Sequence, residues 1–143
     1  MMIKLIYVAG PYRGVTREAV LANIEAARHV GGLLMHKGWM PVIPHVNTGM
    51  MEDRYPWLRT DEGENFMLEG TLEIMRRCDA VCLVVGYEYS DGTKGEIAEA
   101  KRLGIKVYYD EIDVPDAEQH VPAIPKETVA IPRRPDELDL EKE

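Results

Sequence analysis

Three short stretches of this 143-residue chain carry the residue types that chemistry needs. The first, Gly10-Pro11-Tyr12-Arg13-Gly14, sets an arginine among glycines. Glycine lets backbone approach a ligand, and a guanidinium offers a forked, permanent positive charge suited to phosphate. On composition alone the same residues also spell a tight turn with an exposed arginine, which is the commoner case. The second stretch begins at His45, which can serve as an acid–base group or as a hydrogen-bonded structural residue. The third is Ser90-Asp91-Gly92-Thr93-Lys94-Gly95-Glu96, where a carboxylate follows a small polar loop. In the first turn of a helix Glu96 would complement the dipole. That position would also keep a carboxylate ionised at neutral pH, the state a nucleophile requires. His29 and His36 lack a partnering acid at ligand spacing, and Cys78 and Cys82 read as small apolar packing groups, so no metal site is expected.

The elements that must position these stretches follow from apolar patterning. Ile3 to Ala9 is a short, β-rich run ending at Gly10-Pro11, the signature of a buried strand. Thr16 is a natural N-cap for a helix reaching Lys37, with Val20, Ile24, Ala27, Gly31 and Leu34 at helical spacing and Gly38 placed to end it. Met40 to Pro44 reads as a second strand restricted by its prolines. His45 to Gly63 shows no period and reads as a long loop, a lid or binding loop rather than a spacer. Tyr55 and Trp57 within it suit either stacking on a ligand or packing on each other's surroundings. Glu64 to Arg77 predicts a helix, Ala80 to Val85 a buried strand, Gly95 to Leu103 a helix capped by Gly104, and Ile105 to Tyr109 a fourth strand. Alternation of strand and helix predicts an α/β fold: a flavodoxin- or Rossmann-like parallel sheet of four or five strands with helices on both faces. All three candidate stretches then fall at the carboxyl ends of strands, where such sheets bind ligands.

Composition narrows the partners. With 45% apolar and 29% charged residues, this is an ordinary globular balance. The net charge of −8 is uneven: ten of the 25 acidic residues but only four of the 17 basic ones follow Asp110. Five of the nine prolines fall there too, which divides the chain into an α/β domain, 1–110, and an acidic, proline-rich, irregular C-terminal tail, 111–143. No basic stripe with interleaved aromatics suggests a nucleic-acid polymer as partner. No apolar run reaches the ~18 residues of a membrane span. Two cysteines are too few for a disulfide framework, so a cytoplasmic setting is expected. Neither a Walker A pattern nor G-x-G-x-x-G is present, against nucleoside-triphosphatase and dinucleotide readings.

Taken together, these residues resemble a known superfamily. Ile6-Tyr7-Val8-Ala9-Gly10-Pro11-Tyr12-Arg13-Gly14 is similar to the opening motif of the nucleoside 2-deoxyribosyltransferases and of the related 2′-deoxynucleoside 5′-phosphate N-hydrolases. Cys78-Asp79-Ala80-Val81, then Ser90-x-Gly92-x-x-x-Glu96, then Ala100-x-x-x-Gly104-Ile105-x-Val107 resembles their second half, and the likeness runs over about residues 3–109. It is closest to a compact phage and bacterial branch in which an aromatic residue, here Tyr87, precedes the Ser-x-Gly loop. The resemblance implies that Glu96 is a nucleophile attacking the anomeric carbon and that Tyr7 orients it. It assigns Gly10, Pro11 and Arg13 to a phosphate-side loop, and Ser90 and Gly92 to the loop holding the 5′ end of the sugar. It also implies a homodimer or larger assembly, with the tail reaching a neighbour's site. Carboxylate chemistry of this kind needs neither metal nor organic cofactor. One position departs: where the better-known members carry an aspartate that handles the leaving base, this chain has Thr71, leaving His45 or Asp91 as candidates for that work.

The expected function is cleavage or exchange of the N-glycosidic bond of a (deoxy)nucleoside or nucleoside 5′-monophosphate. Two alternatives stand beside it: a non-catalytic nucleotide-binding domain of the same fold, and a flavodoxin-like module for another phosphorylated ligand.

Overall fold

The computed structural model describes residues 2–117. Four parallel strands, β1 (Leu5–Ala9), β2 (Met40–Val42), β3 (Ala80–Leu83) and β4 (Lys106–Tyr108), form one sheet in the order β2-β1-β3-β4. Tyr7 stands opposite Val42 on one side and Val81 on the other, so β1 is fully paired at the centre. The chain leaves β1 toward β2 and leaves β3 toward β4, and the carboxyl ends of β1 and β3 flank the point where the strand order reverses. That is where open α/β sheets bind ligands.

Helices α1 (Arg17–His36), α4 (Asp61–Arg76) and α5 (Asp91–Leu103) cover the sheet. Side chains of a strand alternate between faces, and two cores result. Ile6, Val8, Ala80 and Cys82 point to one face and pack with Ala27 and Leu34 of α1. Tyr7, Ala9, Val81 and Leu83 point to the other, where Met75 of α4 and Ala100 of α5 complete the packing. Fully burying one such aliphatic side chain contributes about 1.5–3 kcal/mol. The two cysteines lie in opposite cores, so they pack as apolar groups and cannot meet. Thr16 caps α1 by accepting a hydrogen bond from the Ala19 amide, as its place before the alanine-rich run predicts. Gly104 ends α5 in the left-handed conformation at φ 74°, which only glycine adopts without strain.

Two predicted elements differ. The stretch from His45 to Gly63, expected as a loop, folds into helical turns: α2 (Pro44–Asn47), α3 (Met51–Arg54), a 3-10 turn at Pro56–Arg59, and then α4, which starts three residues earlier than predicted. Each of the first three elements spans only four residues, too short to display a period. Helix α5 starts at Asp91, not Gly95, because Ser90 caps it and the two glycines of its first turns are tolerated there. Glu96 therefore sits in the second turn, facing inward.

Residues 111–117 of the expected tail pack on the domain. Val114 is buried against the α1 face, Lys37 donates to the carbonyls of Glu111 and Val114, and the Trp39 indole donates to Pro115 at 2.8 Å. The rest of that tail, 118–143, lies outside the described residues.

Candidate functional site

The centre of the site is a carboxyl group and a phenol. Tyr7 projects from the middle of β1 toward α4 and α5, fully buried. Glu96 approaches it from α5, half-buried as a residue but with Oε2 wholly buried. Tyr7 Oη and Glu96 Oε2 influence each other's titration, yet among the described residues neither has a fully formed hydrogen bond. Thr71 of α4 brings its hydroxyl beside the phenol while donating to its own helix at the Leu68 carbonyl, 3.0 Å away. Two buried polar atoms left without good partners are costly, and such atoms cluster where a ligand completes the set.

Burial decides the charge. Desolvation pushes the Glu96 carboxyl up to about 7, and proximity to Tyr7 only partly offsets it. The expectation of a first-turn carboxylate held ionised by the helix dipole is thus corrected. The side chain lies beyond the first turn and in an apolar setting, and at neutral pH both protonation states are populated. Burial first, and Glu96 second, raises the Tyr7 phenol far above its usual range, so it stays protonated and can only donate or accept hydrogen bonds. A carboxyl titrating near 7 beside a permanently protonated phenol can act as a nucleophile when ionised and as an acid when not.

The other predicted residues separate into a rigid rim and an ion pair. His45, in α2, is 5% exposed, and its Nε2–H donates to the carbonyls of Gly10 at 3.1 Å and Pro11 at 3.0 Å. Carbonyls only accept, so the proton resides on Nε2. Burial lowers the imidazole's pKa, and Nδ1 has no partner among the described residues. His45 therefore fixes the β1 loop to the segment after β2 through Nε2, and Nδ1 is the ring nitrogen left without a bond among the described residues. Gly10 is required for closeness: a Cβ there would stand 2.6 Å from the Val84 side chain. Arg13 is 73% exposed and its guanidinium meets Glu64 of α4 at 3.0 Å. Ser90 accepts from the Thr93 amide and hydroxyl, which makes it the cap of α5, and Gly92 lies in the first helical turn, where a Cβ would stand 3.7 Å from the Leu68 side chain, in ordinary contact. Asp91 is exposed at the first position of that helix.

Several site residues escaped the sequence. Asn23 of α1 donates to the carbonyls of Tyr12 and Arg13, and the Tyr12 hydroxyl accepts from the Met50 amide and donates to Glu52, so the β1 loop is pinned from two sides. An asparagine inside an apolar helix face was the only signal for the first contact. A mainly apolar cleft of about 130 Å³ lies between α2 and α4, lined by Asn47, Thr48, Phe66, Met67 and Thr71 among others, and Thr71 joins it to the Tyr7–Glu96 centre. Trp57 packs on Phe66, with ring centroids 6.0 Å apart, so that lid aromatic is partnered within the chain. Among the described residues no three His, Cys, Asp or Glu side chains come together to hold a metal ion, and no helix is long and apolar enough to cross a membrane.

Fold and site define a doubly covered parallel α/β domain whose switch point holds a buried carboxyl–phenol pair. The chain belongs to the family described as a domain of unknown function (DUF7768), which matches residues 4–110. It is also similar to the solved structure of a 2-deoxyribosyltransferase from the psychrotolerant bacterium Bacillus psychrosaccharolyticus, characterised as a biocatalyst for the synthesis of antiviral and antitumoral nucleosides. The two are 25% identical, with a TM-score of 0.52 over 72% of this chain and 69% of that one. No curated protein matches the chain. The fold is the deoxyribosyltransferase-like Rossmann type.

Proposed function

We propose that this protein cleaves or exchanges the N-glycosidic bond of a (deoxy)nucleoside, with Glu96 as the nucleophile. The observation that carries the reading is the buried Glu96 carboxyl beside the Tyr7 phenol at the switch point, in a fold shared with a 2-deoxyribosyltransferase. In the first step the ionised Glu96 oxygen bonds to the anomeric carbon as the carbon–nitrogen bond breaks, and the base leaves with that electron pair and takes up a proton. In the second, water or another base attacks the same carbon and releases Glu96. Tyr7 holds the carboxylate in line. Thr71 offers a hydroxyl but no acid to the departing base, which favours bases already disposed to leave by protonation on the ring. A homodimer or larger, with the tail beyond Ala117 reaching a neighbouring site, and a cytoplasmic setting belong to the same proposal.

The test is base release. The protein and its Glu96→Gln variant are incubated with the common deoxynucleosides and their 5′-monophosphates, and free base is followed by chromatography. Release by the wild type alone supports the reading. The absence of release from every substrate, with binding retained in a thermal-shift assay, replaces it by a non-catalytic nucleotide-binding domain, the reading that Thr71 favours.

A further inference from the structure

Residues 50–59 run from the β1 loop and the start of α1, which they meet through Tyr12 and Arg17, to the start of α4, which they meet through Trp57 and Phe66. Burial does not hold them there. Neither α3 nor the 3-10 turn has a buried residue; Met51, Tyr55 and Trp57 are exposed, and Met50 and Leu58 half-buried. The Met51, Asp53, Tyr55, Leu58 and Thr60 amides donate to Thr48, Met50, Met51, Tyr55 and Trp57, so these backbone bonds stay local. A segment with no buried apolar anchor opens more easily than the fold around it.

The same segment carries strain. Met50 sits at φ 65°, and among the described residues it is the only one other than glycine in the left-handed region. What fixes it is the Tyr12 hydroxyl, which accepts from the Met50 amide at 2.6 Å and donates to the Glu52 carboxylate at 2.8 Å. Burial pushes the Tyr12 phenol up to about 12, so it keeps the proton it donates. Tyr12 is itself held: Asn23 donates to its carbonyl at 3.0 Å, and its ring packs edge-on against the buried His45. The remaining polar ties, Arg17 to Asp53 at 2.6 Å and Arg59 to Asp53 at 2.8 Å, join exposed side chains, and such pairs add little.

We propose that residues 50–59 are a lid and that the Tyr12 hydroxyl is its latch: the bonds to Met50 and Glu52 hold the lid shut in a strained conformation, and their loss lets it swing away from the cleft between α2 and α4. The chain at both ends of the lid walls that cleft, directly at Thr48 and through Trp57 at Phe66, so opening widens it. The inference depends on these contacts alone and holds whatever the site binds.

Hydrogen–deuterium exchange of the full chain, compared between residues 48–60 and the strands β1 and β3, tests the latch. Tyr12→Phe keeps the ring and removes only the hydroxyl. It should speed exchange in 48–60 roughly tenfold and leave the strands within about twofold. Glu52→Ala, which spares the Met50 bond, should speed the same amides by a smaller factor, roughly threefold, and Arg17→Ala by less than about twofold. A thiol in the cleft reports the lid: labelling of Met67→Cys by iodoacetamide should quicken roughly tenfold when Tyr12→Phe is added. Cys78 and Cys82 form a slow background, because both are buried and burial pushes their thiols up to about 11 and about 12. Unchanged exchange in Tyr12→Phe, an equal rise in lid and strands, or unchanged labelling at position 67 overturns the proposal. An Arg17→Ala effect as large as that of Tyr12→Phe overturns it too, since the ion pair would then be what holds the segment.

Discussion

A carboxyl group held at about 7 by burial must leave two marks, one on rate and one on stability. If Glu96 attacks as a carboxylate, base release should climb as pH rises through about 7 and level off above it, and Glu96→Gln should lose the activity entirely. A rate independent of pH between 5.5 and 8.5 would remove Glu96 from the nucleophile's role. The stability mark has the opposite sign. The folded pKa lies above the ordinary 4.5, so the folded state holds the proton more tightly, and the stability this confers is lost as pH rises through about 7. Glu96→Gln keeps the shape and cannot ionise, so it should be more stable than the wild type at pH 8 by up to about 3 kcal/mol, and nearly equal at pH 4. Thermal melts of both proteins at the two pH values check this. Tyr7→Phe is expected to remove the contact that partly lowers the Glu96 pKa. The rising limb of the rate profile should move to higher pH and the plateau fall about tenfold; an unmoved limb would show that the phenol does not touch the carboxylate.

Elements fix where those two groups meet, and here the His45 bond pair matters most. Imidazole Nε2–H joins α2 to the loop after β1, so His45→Ala would leave the Gly10 and Pro11 carbonyls short of a donor and cost about 1–3 kcal/mol. Because burial lowers the histidine's pKa below 6.5, its contribution is present above that value and lost as pH falls through the lower folded pKa. Chemical denaturation at pH 7 and pH 5 should show the wild type losing stability on acidification, and the alanine variant losing less. Much of this framework was legible: short β-rich runs marked all four strands, and Thr16 marked the start of α1 by side-chain chemistry that acts within three residues, whereas the same chemistry at Ser90, which starts α5, was missed among the glycines that follow it. The helical turns from Pro44 to Arg59 were not, since a four-residue helix has no periodicity to read. Nor were the Arg13–Glu64 pair and the protonation of Glu96. The first joins residues 51 apart in sequence, and the second depends on which atoms surround a carboxyl after folding.

At the scale of the molecule, the α1 face of the sheet is finished by residues beyond the last strand. A 3-10 turn at Glu111–Asp113 carries the chain back across the end of α1. There the Lys37 ammonium is shared between backbone carbonyls and the Glu111 carboxylate, the Ala117 amide donates to the Lys37 carbonyl, and Val114 enters the core beside Trp39. This closes the exposed end of a helix whose last carbonyls would otherwise need water. A chain ending at Asp110 would keep all four strands and lose Val114's burial, the indole hydrogen bond, the Ala117 amide's bond to the Lys37 carbonyl and the acceptors of the Lys37 ammonium. The loss is about 3–5 kcal/mol, which for a domain of this size lowers the melting temperature by on the order of 10 °C or more. Trp39, 7% exposed in the intact domain, should become wet and shift its fluorescence to the red. A chain ending at Ala117 retains each of these contacts and should melt with the full-length protein. Comparing the two cuts separates the strap's part in the fold from the part of residues 118–143 in activity. Equal melting temperatures for the two cuts would show that the strap adds nothing to stability. Lower base release from the longer cut, at unchanged melting temperature, would place the tail's contribution at the site and not in the fold.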